Sequence, residues 1–176
     1  MSRGKIMKLQ VEQAKEQIGR VVPFLCTTSG DDLGDVSAFP WSRHDITISG
    51  ELRYDGQHYV VNGTITTNGQ YECSRCLTDT NYTHTVPFEE TFGVTHSNSG
   101  DGDVISFDGE EIDLTETIRE TLIINEPSQV LCQDDCKGLC VQCGANQNVS
   151  PCSCESFVVD PRLAVLRTLL KEENDD

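Results

Sequence analysis

Residues 46–65 read ITISGELRYDGQHYVVNGTI, and this stretch decides the fold class. Ile46, Ile48, Leu52 and Tyr54 alternate with polar neighbours, and Tyr59, Val61 and Ile65 resume the alternation after Asp55-Gly56. A period of two puts each apolar row on one side of a strand, and Asp-Gly between two such rows is a type I′ hairpin signal. Beyond Cys73-Ser74-Arg75-Cys76, the residues Tyr82, His84, Val86, Phe88, Phe92 and Val94 mark one face of a third long strand. Pro87 has no N–H to give to a neighbour, so that strand is expected at an edge or a bulge.

Working outward, Met7, Val11, Ala14 and Ile18 recur at helical spacing, and Gly19 is placed to end the helix. Residues 21–25 read as a short strand and residues 27–40, rich in Gly, Pro and Asp, as a loop. Residues 95–102 form a Ser, Gly and Asn loop, and Val104, Ile105 and Phe107 a further short strand. Asp113 with Glu116 has capping-box spacing, and Leu114, Ile118 and Leu122 stack at four-residue intervals, which predicts a helix over about residues 114–124 that Pro127 ends. Asp160 as N-cap, Pro161, Leu163, Leu166, Leu169 and Leu170 predict a final amphipathic helix.

Nine cysteines stand at Cys26, Cys73, Cys76, Cys132, Cys136, Cys140, Cys143, Cys152 and Cys154. Ile6, Met7, Leu9 and Val11 are broken by Lys8, Gln10 and Glu12, so no secretory apolar core is present there and a cytoplasmic location is expected. In that compartment close thiol pairs are metal ligands or redox groups more often than disulfides. Cys140-Val141-Gln142-Cys143-Gly144 has the form of a zinc knuckle, and Cys152-Ser153-Cys154 completes four thiolates within 15 residues. Such a set suits a closed tetrahedral structural site. Burial as small apolar residues is the alternative, but this region has few other apolar residues to bury them among.

Cys73 and Cys76 lie between two strands rather than at the start of a helix, where a redox thiol would have its pKa lowered. Zinc is therefore favoured over thiol-disulfide exchange. Cys132 and Cys136 are the remaining close pair, so eight thiolates divide into two sets for two zinc ions, and Cys26 is left to pack in its strand. The fold class expected is α+β: an antiparallel β-sheet with packed helices over residues 1–126, then a cysteine-rich, zinc-stabilised segment and C-terminal helix over residues 127–176.

The 176 residues suit one ordinary domain with a small appendage. The longest apolar run, residues 21–26, is far short of the ~20 needed to span a membrane. Mean hydropathy is -0.37, yet apolar residues are spread along most of the chain, which argues against global disorder. Thirteen Lys and Arg against 29 Asp and Glu give a formal charge of -16. No global field steers such a protein onto nucleic acid, and a basic protein partner fits better. The charge is uneven: residues 1–20 carry five basic side chains, whereas residues 76–118 carry ten acids and no Lys or Arg. His44, His58, His84 and His96 are scattered, and His84 is expected to be a satisfied inward histidine. Asp101, Asp103 and Asp108 lack the spacing of a calcium hand. No phosphate-binding loop or nucleophile elbow occurs, no small-molecule substrate is implied, and nothing asks for an enzyme.

The ordered set Cys73-Ser-Arg-Cys76, Ile112-Asp113-Leu114, Cys132-x-x-x-Cys136-Lys-Gly-Leu-Cys140-x-x-Cys143-Gly, Cys152-x-Cys154 and Asp160-Pro161-Arg162-Leu163-Ala164-Val165-Leu166 resembles the YceD family. Its members are described as large ribosomal RNA subunit accumulation proteins. The resemblance runs over about residues 7–170 and marks Met7 as a candidate start. It implies a non-enzymatic bacterial protein, with plastid relatives, needed for accumulation of large-subunit (23S) rRNA and often encoded beside a small ribosomal protein. Shorter relatives keep the Cys73 and Cys76 pair and lack the Cys140 to Cys154 knuckle, which implies two separate sites. This chain departs from the pattern at Val141, where many relatives have Pro, and at Asn125-Glu126-Pro127, where Leu often precedes Pro.

The partners so implied are a large ribosomal subunit precursor or a basic ribosomal protein that meets the acid-only stretch. Direct contact of Lys5, Lys8, Lys15 and Arg20 with rRNA stays open. Two other readings also stay open: a zinc-binding adaptor for transcription or degradation machinery, and a thiol-disulfide reductase using Cys73 and Cys76.

Overall fold

The computed structural model describes residues 7–94 and 104–154. The expected loop at 95–102, the helix from Asp160, and His96, Asp101 and Asp103 lie outside the described residues. The elements run β1 (Lys8–Gln10), α1 (Glu12–Lys15), β2 (Val21–Ser29), a 3-10 turn (Gly30–Leu33), β3 (Asp45–Tyr54), β4 (Tyr59–Glu72), β5 (Asp79–Val94), β6 (Val104–Phe107), β7 (Glu111–Asp113) and α2 (Thr115–Ile124). Among the described residues the chain is mostly sheet with two helices. A five-stranded sheet has the order β2-β3-β4-β5-β6, and β1 pairs β7 separately. The sheet is antiparallel through β5, but β6 runs parallel to β5, so it is mixed rather than purely antiparallel.

The alternation read in residues 46–65 is the burial pattern of β3 and β4. Ile46, Ile48, Leu52, Val61 and Ile65 are all buried, and Val86, Phe88 and Phe92 extend the same face along β5. The turn sits one residue later than Asp-Gly alone implied. Tyr54 pairs Tyr59, and the Asp55 N–H donates to the His58 carbonyl (3.0 Å), so Gly56 and Gln57 are the central pair. Gly56 supplies a φ of +105, and the Asp55 carboxylate accepts from the N–H groups of Gln57 (2.8 Å) and His58 (2.7 Å). These bonds hold that carboxyl below its usual range. One row crosses four strands as Phe24, Gly50, Gly63 and Phe88. A Cβ on Gly50 would stand 2.8 Å from the Phe24 ring and one on Gly63 3.1 Å from the Phe88 ring, so the two rings lie where the glycines leave room.

Two expectations at the N-terminal side are corrected. The expected helix from Met7 to Ile18 is a three-residue strand followed by a single turn, because Lys8, Leu9 and Gln10 pair with Asp113, Ile112 and Glu111. Met7, Val11 and Ala14 are still buried, but Ile18 is 68% exposed. Residues 27–40 are not all loop: β2 continues to Ser29, opposite Asp45, and Leu33, Val36 and Trp41 then fold under the sheet and are buried. Cys26 packs, as expected, against the main core.

Helix α2 follows the four-residue stack, with Leu114, Ile118 and Leu122 fully buried. Each such side chain contributes roughly 2 kcal/mol by leaving water. Its cap differs from the expected box. Leu114 holds the N-cap position, the Asp113 carboxylate accepts from the Thr115 N–H (2.9 Å), and Glu116 pairs with Arg119. At the other end the Trp41 indole donates to the Glu126 carboxylate (2.8 Å), just beyond the point where the chain leaves α2 for the cysteine-rich segment. No helix among the described residues is long and apolar enough to cross a membrane.

Candidate metal centres

Cys73 and Cys76 sit in the turn that joins β4 to β5. The Cys73 N–H donates to the Thr78 carbonyl (3.0 Å) and the Leu77 N–H to the Cys73 carbonyl (2.9 Å), which curls the backbone around the two sulfurs. The turn at Cys140 repeats both bonds: the Cys140 N–H donates to the Ala145 carbonyl (2.8 Å) and the Gly144 N–H to the Cys140 carbonyl (2.8 Å). Gly144 has φ +73, and its counterpart Leu77 has φ +59, a conformation unfavourable for a residue with a Cβ. The two Cys-x-x-Cys turns are thus the same device, one closed by Gly and one by Leu. Sequence reading missed this at Leu77, although the shared offset of four from the first cysteine was a signal.

The segment after α2 is strapped across the first turn. The Ser74 N–H donates to the Val130 carbonyl (2.8 Å), the Arg75 guanidinium to the Cys136 carbonyl (3.0 Å), and the Leu139 N–H to the Arg75 carbonyl (3.0 Å). These bonds carry Cys132 and Cys136 over Cys73 and Cys76, with Sγ separations of 3.6 Å (Cys76 to Cys132) and 3.8 Å (Cys73 to Cys136). All four sulfurs lie within 4.8 Å of one another, and Cys140, Cys143, Cys152 and Cys154 do the same in the second cluster. The structure therefore holds two clusters of four cysteines that can each hold a metal ion. A tetrahedron of ~2.3 Å zinc–sulfur bonds has edges of ~3.8 Å, close to the separations in the first cluster and far from a disulfide of ~2.05 Å.

Environment shifts the thiols within each cluster in opposite directions. Burial opposes ionisation of Cys73, but the amides of Arg75, Cys132 and Cys76 outweigh it and bring its pKa down to about 6. Cys76 is lowered by Thr78. Cys132 is pushed up to about 12 by burial and by the neighbouring Cys76 sulfur. In the second cluster the amides of Cys143 and Gln142 bring Cys140 down to about 6, and the Cys154 amide lowers Cys152. Cys154 is pushed up to about 12 by Cys143 and Cys152; Cys143, although the Ala145 amide favours its thiolate, is raised by Cys140 and Cys152. Four sulfurs this close cannot all carry charge without a cation, and a divalent ion removes that conflict.

The clusters differ in cover. Cys73, Cys76 and Cys136 are buried, whereas Cys143 and the neighbouring Val141 and Val149 are exposed. They are also physically joined, which the spacing of the ligands does not reveal. Asn148 belongs to the loop between Cys143 and Cys152, yet its Nδ2 donates to the Cys136 sulfur (3.3 Å) of the first cluster. Its Oδ1 accepts from the Lys137 N–H (2.8 Å), and the Asn146 amide reaches Thr78 (3.3 Å). The Gln147 side chain donates to the Cys152 sulfur (3.0 Å), while its N–H donates to the Gly138 carbonyl (2.9 Å). The run Asn146-Gln147-Asn148 is the signal that could have announced these contacts. His84 points inward as expected but is not satisfied: it is 5% exposed, and among the described residues its Nε2 has no hydrogen-bond partner. It lies outside both clusters.

Both clusters fall within residues 61–170, the part of the chain matched by the family model described as Large ribosomal RNA subunit accumulation protein YceD. The chain belongs to this family. It is 28% identical over 132 residues to the uncharacterized protein YlbN of Bacillus subtilis, a match covering 74% of this chain and 77% of that one. An uncharacterized Mycobacterium tuberculosis protein is 31% identical over 120 residues, covering 66% of this chain and 58% of its own length. A Zea mays protein, named large ribosomal RNA subunit accumulation protein YCED homolog 1, chloroplastic, is 41% identical over 46 residues, 26% of this chain and 16% of that one. No solved structure matches. The YceD name implies a role in accumulation of large-subunit rRNA, and none of these names carries an enzymatic activity.

Proposed function

We propose that this protein is a cytoplasmic, non-enzymatic assembly factor needed for accumulation of large-subunit (23S) rRNA, that it carries two zinc ions, and that it acts by binding a basic ribosomal protein or a pre-ribosomal particle. Family membership over residues 61–170 carries the role. The zinc reading rests on two closed sets of four sulfurs: Cys73, Cys76, Cys132 and Cys136, then Cys140, Cys143, Cys152 and Cys154. Zinc would offset part of the negative charge of each set and, with four protein ligands, would keep no open position for substrate. It would hold the 127–176 segment against the 1–126 sheet, because the first set takes two ligands from each.

Burial of Cys73, at 0% exposure, speaks against a thiol-disulfide reductase, since a substrate disulfide must reach the attacking sulfur. The charge of -16 favours a basic protein partner over direct contact with rRNA.

Two measurements test the reading. Metal analysis of protein prepared anaerobically without chelator should give two zinc ions per chain, unchanged by Cys26→Ala; one ion or none refutes the two-site reading. Deletion of the gene should lower mature large-subunit rRNA relative to small-subunit rRNA. A normal ratio even in the cold refutes the assembly role and leaves the zinc adaptor.

A further inference from the structure

We propose that the groove between the outer edge of β5 and helix α2 is a docking site for an extended, Lys- or Arg-bearing segment of a protein partner. This rests on the assembly-factor reading and gives its basic partner a place on the molecule. β5 pairs β4 along its whole length, but β6 covers its other side only from Thr91 to Val94. Among the described residues, no strand pairs with the outer side of residues 79–90, and an unpaired edge of this kind is one to which a strand can be added.

Beside that edge lies a groove of about 290 Å³. Phe88, Ile105 and Ile124 give it an apolar lining, with Ile105 40% and Ile124 80% exposed. Glu89, Glu90 and Glu120 supply its charge, and no Lys, Arg or His lines it. Arg119, the nearest cation along α2, is engaged by Glu116. Burial and the neighbouring Glu120 raise the Glu90 pKa, so the carboxylates repel one another where a guanidinium or ammonium would relieve them. Glu111, by contrast, is occupied within the fold by Lys8 (3.3 Å) and Gln10, so the acid-only stretch is not one uniform surface.

Charge selects the occupant. A second copy brings the same carboxylates and the same -16, and RNA brings phosphates, so both are repelled. The chain's own residues 155–176 carry six acids against Arg162, Arg167 and Lys171, but those three cations stand together with apolar residues in 161–171, so occupation by this segment is the competing outcome that crosslinking reads. A basic segment with an apolar residue meets both the lining and the charge.

The test uses the full zinc-loaded chain with a photo-crosslinking benzoylphenylalanine in place of Thr121, mixed with proteins extracted from purified large ribosomal subunits. The expected adduct joins this position to a Lys- or Arg-rich segment of a ribosomal protein. Affinity for that protein should then fall about tenfold in the Glu89→Gln, Glu90→Gln, Glu120→Gln triple variant, as expected from the loss of three surface or partly buried ion pairs. The single variant Glu120→Lys should weaken it as well, and it serves if the triple variant loses zinc or helical signal. An adduct within residues 155–176, with a second copy or with added 23S rRNA overturns the proposal, as does no adduct or unchanged affinity. Complementation separates the two readings. If a deletion strain loses large-subunit rRNA and the triple variant restores it fully, the groove is wrong and the assembly role stands. If deletion leaves the rRNA ratio normal, the assembly role itself fails.

Discussion

Asn148→Ala should weaken the zinc binding proposed for the first cluster although the residue sits in the loop of the second. The substitution removes the amide donor to the Cys136 sulfur (3.3 Å) and the acceptor for the Lys137 N–H (2.8 Å), while every ligand stays in place. A hydrogen bond to a charged group is worth roughly 1.5 to 3 kcal/mol, which corresponds to a factor of about 10 to 100 in affinity. Outer partners of metal ligands show losses in that same range. Lys137 also begins the three-residue link between Cys136 and Cys140, so freeing its N–H loosens the approach of one cluster to the other. The assay is competition for zinc with a chromophoric chelator, resolving two release steps. The Asn148→Ala protein should release the ion of Cys73, Cys76, Cys132 and Cys136 at about 10- to 100-fold lower chelator activity, with Val149→Ala, an exposed position of the same loop, as control. Cys143→Ser, which opens the second cluster, should lower first-site affinity in the same direction while the β3–β4 hairpin keeps its exchange protection. If Asn148→Ala leaves first-site affinity within twofold of the unaltered protein, the two clusters are independent and the coupling argument is wrong.

Leu77→Gly should stabilise the protein by about 0.5 to 1 kcal/mol in denaturant titration, because the left-handed cost at φ +59 exceeds the extra unfolded-state freedom of Gly. A loss of stability would show that the Leu77 side chain, 57% exposed, contributes packing that outweighs this cost. Leu122→Ala should destabilise by about 2 to 5 kcal/mol while zinc content stays the same, since this side chain is fully buried in the main core and belongs to neither cluster. His84, whose pKa burial lowers, takes up a proton less readily in the folded state than in the unfolded chain, where it titrates nearer the ordinary 6.5. Its contribution is therefore complete above about pH 6.5 and is lost as pH falls below it. Thermal melts between pH 5 and 7 should show a shallower acid slope for His84→Leu, and equal slopes would remove the histidine from the account.

Two features were legible in the chain because each depends on short-range spacing. The period-two rows of residues 46–65 and 82–92 define strand faces by covalent geometry alone, and the structure buries those faces. The Cys-x-x-Cys turns and the Cys152, Cys154 pair likewise bring cysteine side chains together within a few residues. Joining Cys73 and Cys76 to Cys132 and Cys136 was an inference from elimination, and the strap through Ser74, Val130 and Arg75 is the contact that realises it. Other features had no local signature. Lys8, Leu9 and Gln10 become a strand only because β7, about a hundred residues later, offers a partner, while the helical spacing of Met7, Val11 and Ala14 is equally compatible with burial. The parallel direction of β6 depends on how the chain returns to β5. The groove beside Glu90 exists because α2 packs beside that strand. Asn148 reaches Cys136 because two loops fold against each other. Spacing along a chain encodes which side chains share a face or a turn, whereas contacts between distant segments are set by packing of the whole core and by the hydrogen bonds that close around it.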